Sequence, residues 1–435
     1  MSALELAVRG SIDALDPHAR RVLFDRVTSS DDAVRERTSR IIARVRADGD
    51  TALVALAREF DNAVLVSLEV PRAAWRAALA ALDPALRHAL ERAAANIRQV
   101  HEAFRPVASE VTTADGIIIG RRPDPLGRVG VYAPGGRATY PSSLLMGVVP
   151  ARVAGVGEII VCSPPGPDGL PSPVLLAAAE LANADRLFAV GGAGAVAAMA
   201  FGTATIPAVD RIVGPGNAYV AEAKVQVSSV IAIDSPAGPS ELLIIADDSV
   251  SPDVMARELL AQAEHDPMAA VVLVCTSAAV LDAVDRRLAE WVPLEPRAQV
   301  VAAALAGRGA LLLAASLDQA VAFSNQWAPE HLLVAVREPD AIVPSLRSAG
   351  TIFVGECASV AFGDYMSGAN HVLPTGGLAR AYSGLSTIDF FRWTTWQRIG
   401  RDAAAALAND VGILADAEQL PAHAGAARQW IGGTA

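Results

Sequence analysis

The feature that most limits the fold is a rhythm that starts near residue 125 and runs to about residue 385. An apolar run ends in a glycine turn, a helical pattern follows, and the next apolar run begins. GRVGVYAPGG precedes the helical YPSSLLMGVVPARVAGV, EIIVCSPPG precedes PVLLAAAELANA, and RLFAVGGAGAVAAMAFG carries strand, glycine turn and helix in one stretch. RIVGPGNAYVAEAKVQV repeats the order. Apolar strands alternating with helices specify a mostly parallel sheet covered on both faces. A second round opens with SVIAIDSPAGPSELLIIAD and SPDVMARELLAQAEH. It continues through AAVVLVCTS, AAVLDAVDRRLAEW, GALLLAA, AVAFSNQWAPEHLLVAV and GTIFVGE. The two halves, roughly 125–236 and 237–385, share one plan, which hints at duplication.

The flanks differ. SSDDAVRERTSRIIARVRADGD has capping residues at its start and Gly49 at its end, and AAWRAALAALDPALRHALERAAANIRQVHEAF is a helical pattern restarted at Pro84. His18, His88 and His101 sit among charged neighbours and read as surface histidines. TTADGIIIGRRPDPLG reads as a hairpin. The tail from about 386 reads as helical, with Trp393, Trp396 and Trp430 supplying an apolar load suited to packing on a second subunit. The expected fold class is α/β, with two Rossmann-like (incomplete doubly wound) domains at 106–236 and 237–385. A helical N-terminal region (1–105) and a helical C-terminal dimerisation segment (386–435) complete it.

With 435 residues, the chain exceeds what one ordinary core organises. A net charge of -11 argues against nucleic acid or an anionic membrane surface as partner. No apolar run has transmembrane length and the N-terminus lacks a basic start followed by an apolar core, so a cytoplasmic location is expected. Cys162, Cys275 and Cys357 are far apart and odd in number. The first two lie in strand-like runs, which favours buried reduced thiols over disulfides. There is neither a CxxC nor an HExxH.

Several stretches carry chemistry. On the helix ending in LLAQAEHDP, Gln262 and His265 are three apart and share a face. They suit a mixed oxygen/nitrogen metal site, or His265 simply caps the last turn. Three glycine turns follow strands, APGG (133–136), VGGAG (190–194) and VGPGN (213–217), and such turns let backbone N–H groups approach a phosphate. Gly192 to Ala197 fits the G-x-G-x-x-A spacing, although small residues are common throughout. Asn217 caps a helix or offers its amide to a ligand, and Tyr132 lies against a cofactor ring or is an ordinary strand aromatic. In QWAPEHLLV, Glu330 and His331 stand on a turn at a strand edge. There they suit two separate proton transfers, unless they are merely polar loop residues. FGDYMSGANHVLPTGG brings Asp364, Ser367, Asn370 and His371 into one loop, and AEQLPAHAGAARQW holds Glu418 and His423.

Together LLAQAEHDPMA, APEHL, GDYMSGANHVLPTGG, IVGPGNAYVAEAK, SPAGPSELLIIAD and YAPGGRATYPSS resemble the L-histidinol dehydrogenase family, in the family's order, from about residue 30 onward. The resemblance implies a four-electron oxidation of L-histidinol to L-histidine through L-histidinal, the final steps of histidine biosynthesis, with two NAD+ and zinc. It implies zinc ligands at Gln262, His265, Asp364 and His423, the last from the other subunit of a domain-swapped homodimer. The catalytic pair falls on Glu330 and His331. Substrate contacts fall on Ser240, His371 and the partner's Glu418, alongside the metal ligands and the catalytic pair. NAD contacts fall on Tyr132, Asn217 and a position where the family carries glutamine and this chain has Gly194. That difference leaves open a related zinc- and NAD-dependent dehydrogenase of another small amino alcohol or diol.

Overall fold

The computed structural model describes residues 5–26, 32–114, 116–135 and 139–431. The expected capping start at Ser29 and Ser30, and Gly136 of the first glycine turn, lie outside them. The chain forms two compact units, Met1–Phe104 with Gly127–Phe390, and Arg105–Leu126 with Phe391–Ala435. The strands are β1 (Val8–Ser11), β2 (Ser109–Ala114), β3 (Ile117–Pro125), β4 (Arg128–Tyr132), β5 (Glu158–Ser163), β6 (Arg186–Ala189) and β7 (Arg211–Val213). They continue as β8 (Ala232–Ile233), β9 (Glu241–Ala246), β10 (Ala270–Cys275), β11 (Gly309–Leu313), β12 (His331–Ala335), β13 (Thr351–Val354) and β14 (Phe391–Ile399).

The larger unit holds two Rossmann-like domains, each built on a parallel sheet. The first has order β6-β5-β4-β7-β8 and the second β1-β11-β10-β9-β12-β13. Both follow one plan. From β4 the chain winds outward through β5 to β6, then returns to the other side of β4 as β7 and β8. From β9 it winds through β10 to β11 and returns beside β9 as β12 and β13.

The central strands β4, β9 and β12 are apolar but for a polar residue at their amino ends, because both of their faces are covered. Every residue of β9, β10 and β12 is buried. Leu242, Ile244 and Leu273 pack with Met255 and Leu259 of the helix Pro252–Ala263 and Val284 and Leu288 of the helix Ala278–Trp291. Leu243, Ile245, Leu332 and Val334 pack the other way, against Phe323 and Trp327 of the helix Leu317–Trp327. Each such side chain contributes about 1.5–3 kcal/mol by leaving water.

Four expectations need correction. The N-terminal stretch is not wholly helical: β1 is an edge strand running parallel to β11. His101 is not on the surface but buried on the inward stripe of the helix Pro84–Ala103. The segment of Trp393 and Trp396 is a strand, β14, not a helix. The helix of Gln262 stops at Ala263, so His265 lies just past its end, its N–H held by the Gln262 carbonyl.

The smaller unit is a three-stranded antiparallel sheet, β14-β3-β2, with the helices Arg401–Ala417 and Pro421–Arg428. The hairpin expected at TTADGIIIGRRPDPLG is β2–β3. β14 pairs along the whole of β3, Phe391 opposite Pro125 through to Ile399 opposite Ile117. Trp396 lies over Gly120, where a side chain would collide with the indole, so the glycine is required by its cross-strand partner. Among the described residues no helix is long and apolar enough to cross a membrane.

Candidate functional site

A cavity of about 1390 Å³ is lined by residues of the larger unit. From the first sheet come the carboxyl ends of strands: Tyr132 to Gly135 after β4, Val190 to Gly194 after β6, and Pro215 to Asn217 after β7. This is the crevice at which an open α/β sheet binds ligands. From the second sheet come amino ends: Gly238 to Ser240 before β9, and Glu330 with His331 at the start of β12. Gln262, His265, Asp364 and His371 complete the wall. The volume exceeds the usual small-ligand pocket.

At the second sheet, Glu330 stands on the bend just before β12 and His331 is the first residue of that strand, the entry expected from the sequence. The strand is not at the sheet's edge but paired on both sides, by β9 and β13, and both residues are buried. The order β9-β12-β13 does that, and one neighbouring residue then holds both groups. The Glu241 N–H donates to Glu330 Oε2 at 2.7 Å, and the Glu241 carbonyl lies 3.0 Å from His331 Nδ1. Nδ1 therefore carries the proton toward that carbonyl and leaves Nε2 as the exchanging nitrogen. Nε2 has no hydrogen-bond partner, with Asp364 Oδ1 at 3.6 Å. Burial opposes a charge on His331, yet Glu330 and Asp364 together hold its pKa well above the usual imidazole value. Burial likewise works against the Asp364 carboxylate, and His331, His371 and His265 outweigh it, so Asp364 stays ionised.

His371 is fixed through both nitrogens, Nδ1 at 2.7 Å from the Asp364 carbonyl and Nε2 at 3.1 Å from Ser143 Oγ. Burial lowers its pKa, which keeps it neutral. Asp364 lies on the short helix Val360–Tyr365, not in a loop. Gln262 is buried, and among the described residues its carboxamide has no hydrogen-bond partner.

At the first sheet, the Gly192 N–H donates to the Tyr132 hydroxyl at 3.1 Å, bracing the glycine turn, and burial pushes that phenol up to about 12. Asn217 Oδ1 caps its own helix, accepting from the N–H groups of Tyr219 and Val220 at 3.1 and 3.2 Å, so only its amide nitrogen is left for a ligand. Gly194 has little room: a Cβ would sit 3.1 Å from Leu56 and 3.4 Å from Leu53.

Ten of the residues singled out in the sequence thus line one cavity: Tyr132, Gly194, Asn217, Ser240, Gln262, His265, Glu330, His331, Asp364 and His371. Glu418 and His423 belong to the smaller unit, where Glu418 caps the helix Arg401–Ala417 and His423 lies in the helix Pro421–Arg428, both exposed. Among the described residues no group of three or more His, Cys, Asp or Glu side chains is arranged to hold a metal.

Sequence reasoning missed the scaffold. Arg26 forms a buried ion pair with Glu241 at 2.5 Å, and Glu241 Oε1 accepts from the Gly376 N–H at 2.8 Å. Burial raises Glu241 to about 7, with Arg26 opposing it. Gly350 is also required, since a Cβ there would stand 2.5 Å from the Glu330 carbonyl oxygen. The local sequence does not show these roles, even for Glu241 inside SPAGPSELLIIAD, because each residue acts on a partner distant in the chain.

The histidinol dehydrogenase family model matches residues 24–430. A histidinol dehydrogenase of Methanosarcina barkeri is 45% identical over 400 residues, covering 92% of each chain. One of Bordetella parapertussis is 44% identical over 429 residues, covering 97% of each. The crystal structure of histidinol dehydrogenase from Elizabethkingia anophelis superposes with a TM-score of 0.93 at 32% identity, covering 98% of each chain. The chain belongs to the histidinol dehydrogenase family and is an oxidoreductase.

Proposed function

We propose that the chain oxidises L-histidinol to L-histidine by way of L-histidinal, using zinc and two NAD+ in the cytoplasm. The observation that carries this reading is the pairing of Glu330 and His331 on one backbone residue, facing a cavity whose other wall is three glycine turns. Overall, one alcohol, one water and two NAD+ give one carboxylate, two NADH and three protons.

The zinc reading fits the donors in part. Gln262, His265 and Asp364 supply an amide oxygen, an imidazole and an ionised carboxylate on one cavity wall, a mixed set that zinc accepts. Those three donors leave a tetrahedral zinc one ligand short, and the resemblance assigns the fourth to His423 of a partner subunit, which with Glu418 would complete the site in a homodimer. Bound there, zinc supplies a redox-inert template for the substrate's imidazole and amine, while NAD+ accepts hydride.

The chain's own groups then divide the proton work. His331 Nε2 receives the alcohol proton while the Glu241 carbonyl holds the ring through Nδ1. Because Asp364 helps to keep His331 protonated, base action requires the Asp364 charge to be engaged elsewhere, as it is when Asp364 serves as a ligand. Glu330 takes a proton from the water that adds to the aldehyde, its carboxylate aimed by the Glu241 N–H. Ser240 and His371 orient the substrate. Tyr132 and Asn217 shape the cofactor turns. Gly194, on the helix after β6, stands on the cofactor side, so its difference from the family concerns NAD and leaves histidinol as the substrate.

The division of labour is tested with Glu330→Gln by following histidinal and histidine separately. The first oxidation should fall much less than the second, with histidinal accumulating. Equal loss of both steps would refute the assignment of the water to Glu330.

A further inference from the structure

Of the 36 Lys and Arg residues in this chain, Lys224 alone is a lysine. It is almost fully buried, on the helix Ala218–Val227 that follows the third glycine turn. Its Nζ pairs with Asp234, donates to the Gly214 carbonyl at 3.1 Å, and lies 3.5 Å from the Ser235 carbonyl. Asp234 Oδ2 accepts from the Gly214 N–H at 2.7 Å. Two opposite charges thus grip both backbone groups of one residue. Gly214 itself has φ +113, and a Cβ there would collide with the Tyr132 carbonyl, so the turn is pressed onto the end of β4. The residues that follow, Pro215 to Asn217, line the cavity.

The place favours an ammonium for a stereochemical reason. Oxygens of Asp234, Gly214 and Ser235 surround one small enclosed point, which suits three donors on a compact head. A planar guanidinium with five donors does not fit there. That geometry suits the one lysine of a chain whose other such cations are all arginine.

We propose that the Lys224–Asp234 pair is the positioning device of the cofactor half, holding the Gly214–Asn217 turn in the shape that receives a dinucleotide. This rests on the NAD reading above. Neither side chain is among those lining the cavity, so the pair acts through the turn and touches no reacting atom. Its loss should therefore weaken NAD+ binding and leave the second sheet's substrate wall unchanged.

The test is calorimetric titration of NAD+ into zinc-loaded wild type, Lys224→Arg, and the paired Lys224→Met/Asp234→Asn, which strands no buried charge. L-Histidinol titration and thermal melting run alongside. Both variants should lose roughly tenfold or more in NAD+ affinity, while histidinol affinity stays within about twofold. Wild-type NAD+ affinity in either variant would overturn the inference while sparing the cofactor reading. No binding by wild type would overturn both. Should the variants fail to fold, wild-type protein still decides. As the only lysine, Lys224 gives a single side-chain product with an acetylating N-hydroxysuccinimide ester, read by peptide mass spectrometry. It reacts only when the turn opens, so saturating NAD+ should slow the reaction roughly tenfold or more. An unchanged rate would refute the coupling.

Discussion

Replacing His101 should change how the protein responds to acid. The ring lies on the stripe Leu90, Ala93, Ala94, Ile97, His101, is 1% exposed, and accepts the Thr387 N–H at Nδ1 over 3.2 Å. Nε2 carries the remaining proton and has no partner. Burial lowers the pKa from 6.5 to about 4. For a base lowered in this way, the unfolded chain takes up a proton below pH 6.5 while the native protein does not, so stability falls as the pH drops from there toward 4. The slope approaches 1.4 kcal/mol per pH unit, and integration between pH 7 and pH 4.5 gives a loss of about 2 kcal/mol from this residue. His101→Asn places Oδ1 where Nδ1 was and does not titrate. Urea unfolding of both proteins at a series of pH values isolates the contribution, since the carboxylates are common to both. The variant should retain about 2 kcal/mol more of its neutral-pH stability at pH 4.5. Parallel pH dependences would refute the reasoning.

Other outcomes follow from the same geometry. Gly194→Gln should crowd Leu56, whose methyl would stand 3.1 Å from the new Cβ, costing on the order of 1 kcal/mol in urea unfolding, and should not improve NAD+ affinity; a gain in affinity would refute this. Arg26→Met leaves the Glu241 carboxylate buried without its cation and should cost about 3–5 kcal/mol in urea unfolding, whereas Arg26→Met with Glu241→Gln should recover part of it. In a homodimer with shared sites, Glu330→Ala and His423→Ala are each inactive, but random mixing during refolding should regain about a quarter of wild-type activity. No recovery would contradict a His423 supplied in trans.

The strands lying in long apolar runs were legible because burial on both faces leaves no polar alternation to confuse them. Thus β4 to β6 and β9 to β12 stand where glycine turns and caps punctuate the sequence. Less was legible where a partner distant in sequence decides. VRGS has one buried residue and becomes a strand only by pairing with β11. FRWTTWQRI shows no clear alternation and takes its form from β3. The helix Ala298–Arg308 went unread between two stronger signals. His101 was misread from its charged neighbours, although its spacing from Ile97 placed it on the apolar stripe. The candidate site residues stood out by their motifs, but that ten of them line one cavity could not be read from those motifs. Which strand ends face each other depends on strand order, and β12 lies beside β9 because the chain reverses its winding there. Glu241 and Lys224 lie within motifs, SPAGPSELLIIAD and IVGPGNAYVAEAK, but their roles as supports do not show there, and Arg26 and Gly350 stand outside any motif, because each acts on a partner elsewhere in the chain.

The most direct test of the account is the number of NADH formed per molecule of L-histidinol consumed, measured on zinc-loaded protein, after chelation, and after zinc is returned. The account predicts two NADH per substrate, activity lost with the metal and regained with it. One NADH, with histidinal as the end product, would contradict the role given to Glu330 and the four-electron reaction with it.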